Sequence, residues 1–262
     1  MRKLNLLWLL APLLALLPLA AYAGEEPGTG FVDSQHDFTT STDTSTGTTI
    51  TIGACTRCHT PHHAIGTRLL WNHVLSKNSS FSWSDVDATI GGTKLPSFNN
   101  SWTGPTKYCL SCHDGSVATG DVNWWNGGGP ACVSAKGCGS GFSSTSRLNV
   151  APSGDLKGSH PVAVPYPFGQ VKNTYNGVTT GEGVKATEYA ADPTADGIRL
   201  FNDAGGASGV LAGTAPGATG LECTSCHDVH NGVGQVQDHY LLRGTLGGTA
   251  KPYLCVKCHL KP

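Results

Sequence analysis

The chain has 262 residues, a formal charge of −1 and only 13% charged side chains. That balance excludes a nucleic-acid binder, which would carry a basic patch. With 35 glycines, 15 prolines and 39% hydrophobic residues, the composition is also wrong for an ordinary core, so the chain is either mostly loop or organised around something apolar that it does not encode.

In chain order, the first element is a leader. Arg2 and Lys3 precede an apolar run from Leu4 to Ala20, broken by Pro12 and Pro18, and Ala21-Tyr22-Ala23 is a small-x-small cleavage site. This reads as a secretory signal peptide over 1–23, cut after Ala23. The run is only marginally long enough to span a bilayer. No cysteine follows it until Cys55, so no lipid would anchor the new N-terminus. The mature chain, 24–262, is expected to be one domain with no membrane span. It would be secreted, extracellular or at the cell surface, or alternatively periplasmic, in an oxidising compartment.

Eight of the ten cysteines then fall into four identical frames: Cys55-Thr-Arg-Cys58-His59, Cys109-Leu-Ser-Cys112-His113, Cys223-Thr-Ser-Cys226-His227 and Cys255-Val-Lys-Cys258-His259. CxxCH is the attachment signature of c-type haem. Two intervening residues put both thiols on one side of a helical turn, where they can add to the vinyl groups of one porphyrin, and the next histidine lies under the iron. A zinc site would use CxxC pairs but would not require a histidine after each. Four covalently bound haem c groups are therefore expected. The remaining pair, Cys132 and Cys138, sits in GPACVSAKGCG with no histidine following and is expected to form a disulfide across a small loop.

Between the second and third frames runs a long segment rich in Gly, Thr, Ser and Asn. It is read as loops and short strands, such as Gly197 to Phe201, with Pro161, Pro165 and Pro167 excluding helix. The expected fold is mostly irregular, with short helices beginning at each CxxCH and a few short strands. The haems themselves would form most of the core.

Eleven histidines are present. His59, His113, His227 and His259 belong to the frames, and His36, His62, His63, His73, His160, His230 and His239 remain. The only methionine is Met1, which leaves with the leader, so a His/Met iron is excluded and bis-histidine ligation, with low potentials, is the remaining choice. His227 and His230 lie one helical turn apart and leave the same side of the helix. They cannot sit on opposite faces of one porphyrin, so His230 would serve a different haem and bring two haems together. The same holds for His59 with His62 or His63. His36, His73 and His160 each sit beside apolar residues; His239 has less support, and His63 reads as the spare of its pair. Five candidates, His36, His62, His73, His160 and His230, thus stand for four irons, and spacing does not remove one. Catalysis at haem needs an open iron position, whereas here histidines are in surplus and no Ser, Cys or carboxylate active site is evident, so no enzyme is expected.

The segments CHTPHH, LWNH, CHDGSVA, SHPV, LECTSCHDVHNG and a closing CxxCH occur in this order. Together they resemble the tetrahaem members of the multihaem c-type cytochromes of metal-reducing bacteria, most closely the OmcE type of extracellular filament cytochrome. The resemblance covers nearly the whole mature chain, although the loop holding Cys132 and Cys138 has no place in it. It implies a homopolymer with a continuous row of haems, a histidine ligand passed across the subunit boundary (His62 first, His36 second) and other cytochromes as redox partners. The alternative is a soluble periplasmic tetrahaem shuttle with the same chemistry and no polymer.

Overall fold

The computed structural model describes residues 30, 34, 36–42, 49–51, 53–125, 128–133, 138–232, 241–245 and 253–260. The leader and His239 lie outside the described residues. Regular elements are short and widely spaced. Strands β1 (Thr40–Thr42) and β2 (Thr49–Thr51) form an antiparallel pair. Helix α1 (Thr106–His113) follows, then the two-residue strands β3 (Asp121–Val122) and β4 (Ala131–Cys132), which pair with each other. The long middle segment holds β5 (Val164–Pro165), the hairpin β6 (Thr174–Tyr175) and β7 (Val178–Thr179), β8 (Phe201–Asn202), β9 (Leu211–Ala212) and β10 (Thr219–Leu221). Helix α2 (Cys223–Cys226) begins two residues after β10.

Four of these strands form one antiparallel sheet in the order β5-β10-β8-β9. β10 is a central strand, and it delivers the chain directly to α2. Its middle residue must be glycine: a Cβ on Gly220 would lie 2.3 Å from Cγ of Tyr175. The bare backbone lets the Tyr175 ring lie against the strand, fully buried.

The apolar core is divided rather than continuous. One cluster joins Phe81, Trp83, Phe98, Leu110, Ala151, Leu156 and Ala163. Smaller ones hold Val122 with Val133, Tyr166 with Ile198 and Leu200, and Tyr175 with Phe201 and Val210. Leu110, on α1, anchors the attachment helix in the first cluster. Burying a leucine side chain stabilises by about 1.5–3 kcal/mol, and α1 has little else apolar facing inward: its other buried residues are Thr106 and Ser111.

Two expectations about local structure are adjusted. The strand read over Gly197 to Phe201 is confined to Phe201–Asn202. Gly197 instead caps a 3-10 turn, Pro193–Asp196, with φ +86°, a conformation that ends extended pairing. Helices begin at the frame itself only in the third and fourth cases, α2 and the 3-10 turn Cys255–Lys257. α1 starts three residues before Cys109, and the first frame is a turn without a regular helix. Cys132 and Cys138 are disulfide-bonded, with Cα atoms 5.7 Å apart. Among the described residues no helix is long and apolar enough to cross a membrane.

Candidate cofactor-attachment site

Each frame folds into the same local shape. In the first, third and fourth, the carbonyl of the leading cysteine accepts from the histidine N–H four residues on, at 2.7 Å for Cys55–His59, 3.1 Å for Cys223–His227 and 2.8 Å for Cys255–His259. In the second the same turn lies inside α1. One helical turn is the geometry that sets two thiols and a histidine on one side.

Burial holds four of the eight as thiols, pushing Cys58 and Cys226 up to about 11, and Cys112 and Cys258 up to about 12. None of the eight is disulfide-bonded. Among the described residues no group of three or more His, Cys, Asp or Glu gathers as a metal cage would require.

Neighbouring thiols trace the frames in order. After burial, the main influence raising Cys112 is Cys58 of the first frame. Cys109 of the second frame and Cys223 of the third hydrogen-bond to each other, which raises Cys109 and lowers Cys223. Cys226 of the third feels both Cys255 and Cys258 of the fourth. Each frame therefore neighbours the next in space, first to fourth.

Histidines face one another along that series. The rings of His59 and His230 have centroids 6.3 Å apart and lie within 23° of parallel. Those of His36 and His113 are 6.0 Å apart. Two imidazoles on opposite sides of one metal, each bonded at about 2 Å, place their centroids about 6 Å apart. His160 is near enough to His259 to lower its pKa, second only to burial. His36 is lowered to about 4, first by burial and then by His113, His227 and His230; its Nδ1 is buried with no hydrogen bond among the described residues. A histidine kept neutral by its surroundings, with an unused ring nitrogen, is in the form that binds metal.

The frame histidines are also oriented. Nδ1 of His59 lies 2.6 Å from the Leu69 carbonyl, and Nδ1 of His113 lies 2.8 Å from that of Leu148. An Nδ1–H donated to a carbonyl fixes the tautomer and leaves Nε2 free for a metal. The same groups border exposed apolar surface: Leu69, Leu70, Leu148, Val150 and Leu260, the last directly after His259. Beside α2 an open cleft of about 470 Å³ combines Ile198 and Leu200 with the guanidinium groups of Arg199 and Arg243 and with Asp228, which lies 3.7 Å from Arg243. Apolar flanks, cationic groups for two propionates, paired thiols and facing imidazoles are what a covalently bound haem needs, so the residues present fit the group.

The remaining candidates are placed differently. His73 is fully buried, with Nδ1 2.7 Å from the Val74 carbonyl and Nε2 3.1 Å from that of Ala118; the structure does not bring it to a frame histidine. His62 is exposed. His63 stacks on Trp124 at 5.8 Å. Sequence reasoning missed Glu222. It is buried between α1 and α2, accepting at Oε1 from Trp102 Nε1 (3.0 Å) and the Tyr175 hydroxyl (2.7 Å) and at Oε2 from the Thr106 N–H (2.9 Å). Its place next to Cys223 is the only sequence signal for it. No family model matches the chain, and no curated protein matches it.

Proposed function

We propose that this chain is an electron-transfer protein carrying four bis-histidine c-type haems, and that it is a subunit of an extracellular conductive filament. What carries the reading is the series of four CxxCH turns together with frame histidines that face distant ones about 6 Å away. Bound haem would supply one-electron exchange at its iron. The chain supplies everything else. Eight cysteines would tether the porphyrins, so none could leave in a dilute exterior. His59, His113, His227 and His259 would each ligate one iron. His230 and His36 would supply the second imidazole at the first and second sites, and His160 at the fourth. The Leu69 and Leu148 carbonyls fix the rings. Thiols of successive frames lie side by side, which requires neighbouring porphyrin edges to be close, as charge transfer along a row demands.

The filament half of the reading is supported by the resemblance and by the surface around His62. That histidine is exposed beside Ile65, Leu69 and Leu70, each 39% exposed, where a second subunit could receive it. Haem assay by pyridine haemochrome and intact mass of the exported chain should give four haems per polypeptide; fewer ends the proposal. Electron microscopy of the same material decides the assembly. Filaments with continuous haem density support the conduit, whereas a monomer at high concentration replaces it with a soluble periplasmic shuttle.

A further inference from the structure

The junction between the second and third frames is built unlike its neighbours. Glu222 is 1% exposed and is the N-cap residue of α2, where it forms a capping box: its side chain accepts from the Ser225 N–H, and its own N–H donates to Ser225 Oγ at 3.0 Å. The same carboxylate accepts the N–H of Thr106, the first residue of α1. Thr106 returns the contact, its hydroxyl accepting from the Cys223 N–H at 3.1 Å. One side chain therefore satisfies exposed N–H groups at the starts of both attachment helices, which are otherwise left open at a helix N-terminus. Trp102 and Tyr175 complete its shell.

Every group touching the two carboxylate oxygens donates: N–H of Trp102, Thr106 and Ser225, and O–H of Tyr175. An ionised carboxylate is acceptor-only, whereas a protonated one has a proton to place, so this all-donor shell favours the anion, and it does so against burial, which pushes the carboxyl up. The molecule is shaped around it. A Cβ on Gly104 would lie 2.2 Å from Glu222 Oε1 and 2.4 Å from Trp102 Nε1. Gly220 likewise admits the Tyr175 ring whose hydroxyl reaches Oε1.

The flanking junctions hold buried cations. Arg57 lies near Cys58 and Cys112, Arg243 near Cys226, and Lys257 near Cys258. The carboxylates there are Asp114, held by Ser76, Asn78 and Ser116, Asp228, 3.7 Å from Arg243, and Asp196, near Cys258.

We infer that Glu222 is the positioning residue of the two central sites: it clamps α1 to α2, fixing Cys109 against Cys223, and its charge makes the haems held there the lowest in potential of the four. This rests on the proposal that the frames hold haem. A buried anion stabilises the oxidised, more positive iron and so lowers potential, and low local dielectric magnifies the effect.

The test uses full-length holoprotein with Glu222→Gln, which keeps size and removes charge, and Glu222→Asp, which keeps charge and shortens reach. Haem count is measured first; a wild-type chain with fewer than four haems sinks the haem reading rather than this one. Spectroelectrochemical titration should then show two of four midpoint potentials rising in E222Q and two unmoved. E222D should leave those potentials nearer wild type but weaken the magnetic coupling between the two central haems seen by electron paramagnetic resonance. Wild-type potentials in E222Q, or wild-type coupling in E222D, overturns the corresponding half. Should E222Q fail to mature, the E222D coupling still decides the clamp, and an even shift across all four haems in either variant rejects a local role.

Discussion

Replacing His230 with alanine isolates the claim that a histidine from the third frame's turn serves the first frame's iron. The His59 and His230 centroids are 6.3 Å apart. Each centroid lies roughly 1 Å behind its bonding nitrogen, so two metal–nitrogen bonds of about 2 Å account for that separation with one metal between. The frame cysteines are untouched, so H230A should retain four haems. One iron in four then loses its distal ligand and becomes high-spin, and the visible spectrum should convert by a quarter towards five-coordinate character. His36→Ala should convert a second quarter through His113, and the double variant half. If H230A keeps all four haems low-spin, the pairing is wrong. If it converts the third haem, identified by combining it with Cys223→Ser and Cys226→Ser, the row has been threaded incorrectly.

Other outcomes follow from the same geometry. His62→Ala should abolish filament assembly while at least three low-spin haems remain; normal assembly in electron micrographs counts against the crossing ligand. His73→Ala removes the one ring N–H that a neutral imidazole donates to the Val74 or the Ala118 carbonyl and should cost about 1–3 kcal/mol in denaturant melts, with no change in spin state. Phe81→Ala empties the largest cluster and should destabilise by about 3–5 kcal/mol, measured the same way.

The turn geometry of the four frames was legible because it is local. CxxCH lies within one turn, and the i to i+4 closure at Cys55, Cys223 and Cys255 follows from spacing alone. The helical step expected from His227 to His230 is not found: α2 ends at Cys226 and His227 is extended, bridging Leu242, so the two histidines do not share a helix face, although the His230 ring does lie against His59. Which distant histidine meets which frame was not legible, since His36 with His113 and His59 with His230 are contacts between remote segments. His73 illustrates the limit. LLWNH made it a ligand candidate, but its Nδ1 faces the carbonyl of the adjacent Val74 and its Nε2 that of Ala118, 45 residues on, and the second contact leaves no mark in the motif. Glu222 escaped for a similar reason, its partners Trp102, Thr106 and Tyr175 being far from it in the chain. Short strands were foreseeable from Thr- and Gly-rich stretches, but Gly197 punctuates one of them sooner than its apolar neighbours implied.

If the frames carry haem as proposed, the nearness of His59 to His230 would also impose a timetable. A chain threaded across a membrane from its N-terminus presents Cys55 and Cys58 to the attachment machinery long before residue 230 arrives. The earliest iron installed would wait, open on one side, for nearly the whole remaining polypeptide. Closing that side late makes completion of the first site a checkpoint on delivery of the last third of the molecule, so truncated products should betray themselves as reactive, ligand-hungry species rather than as inert fragments.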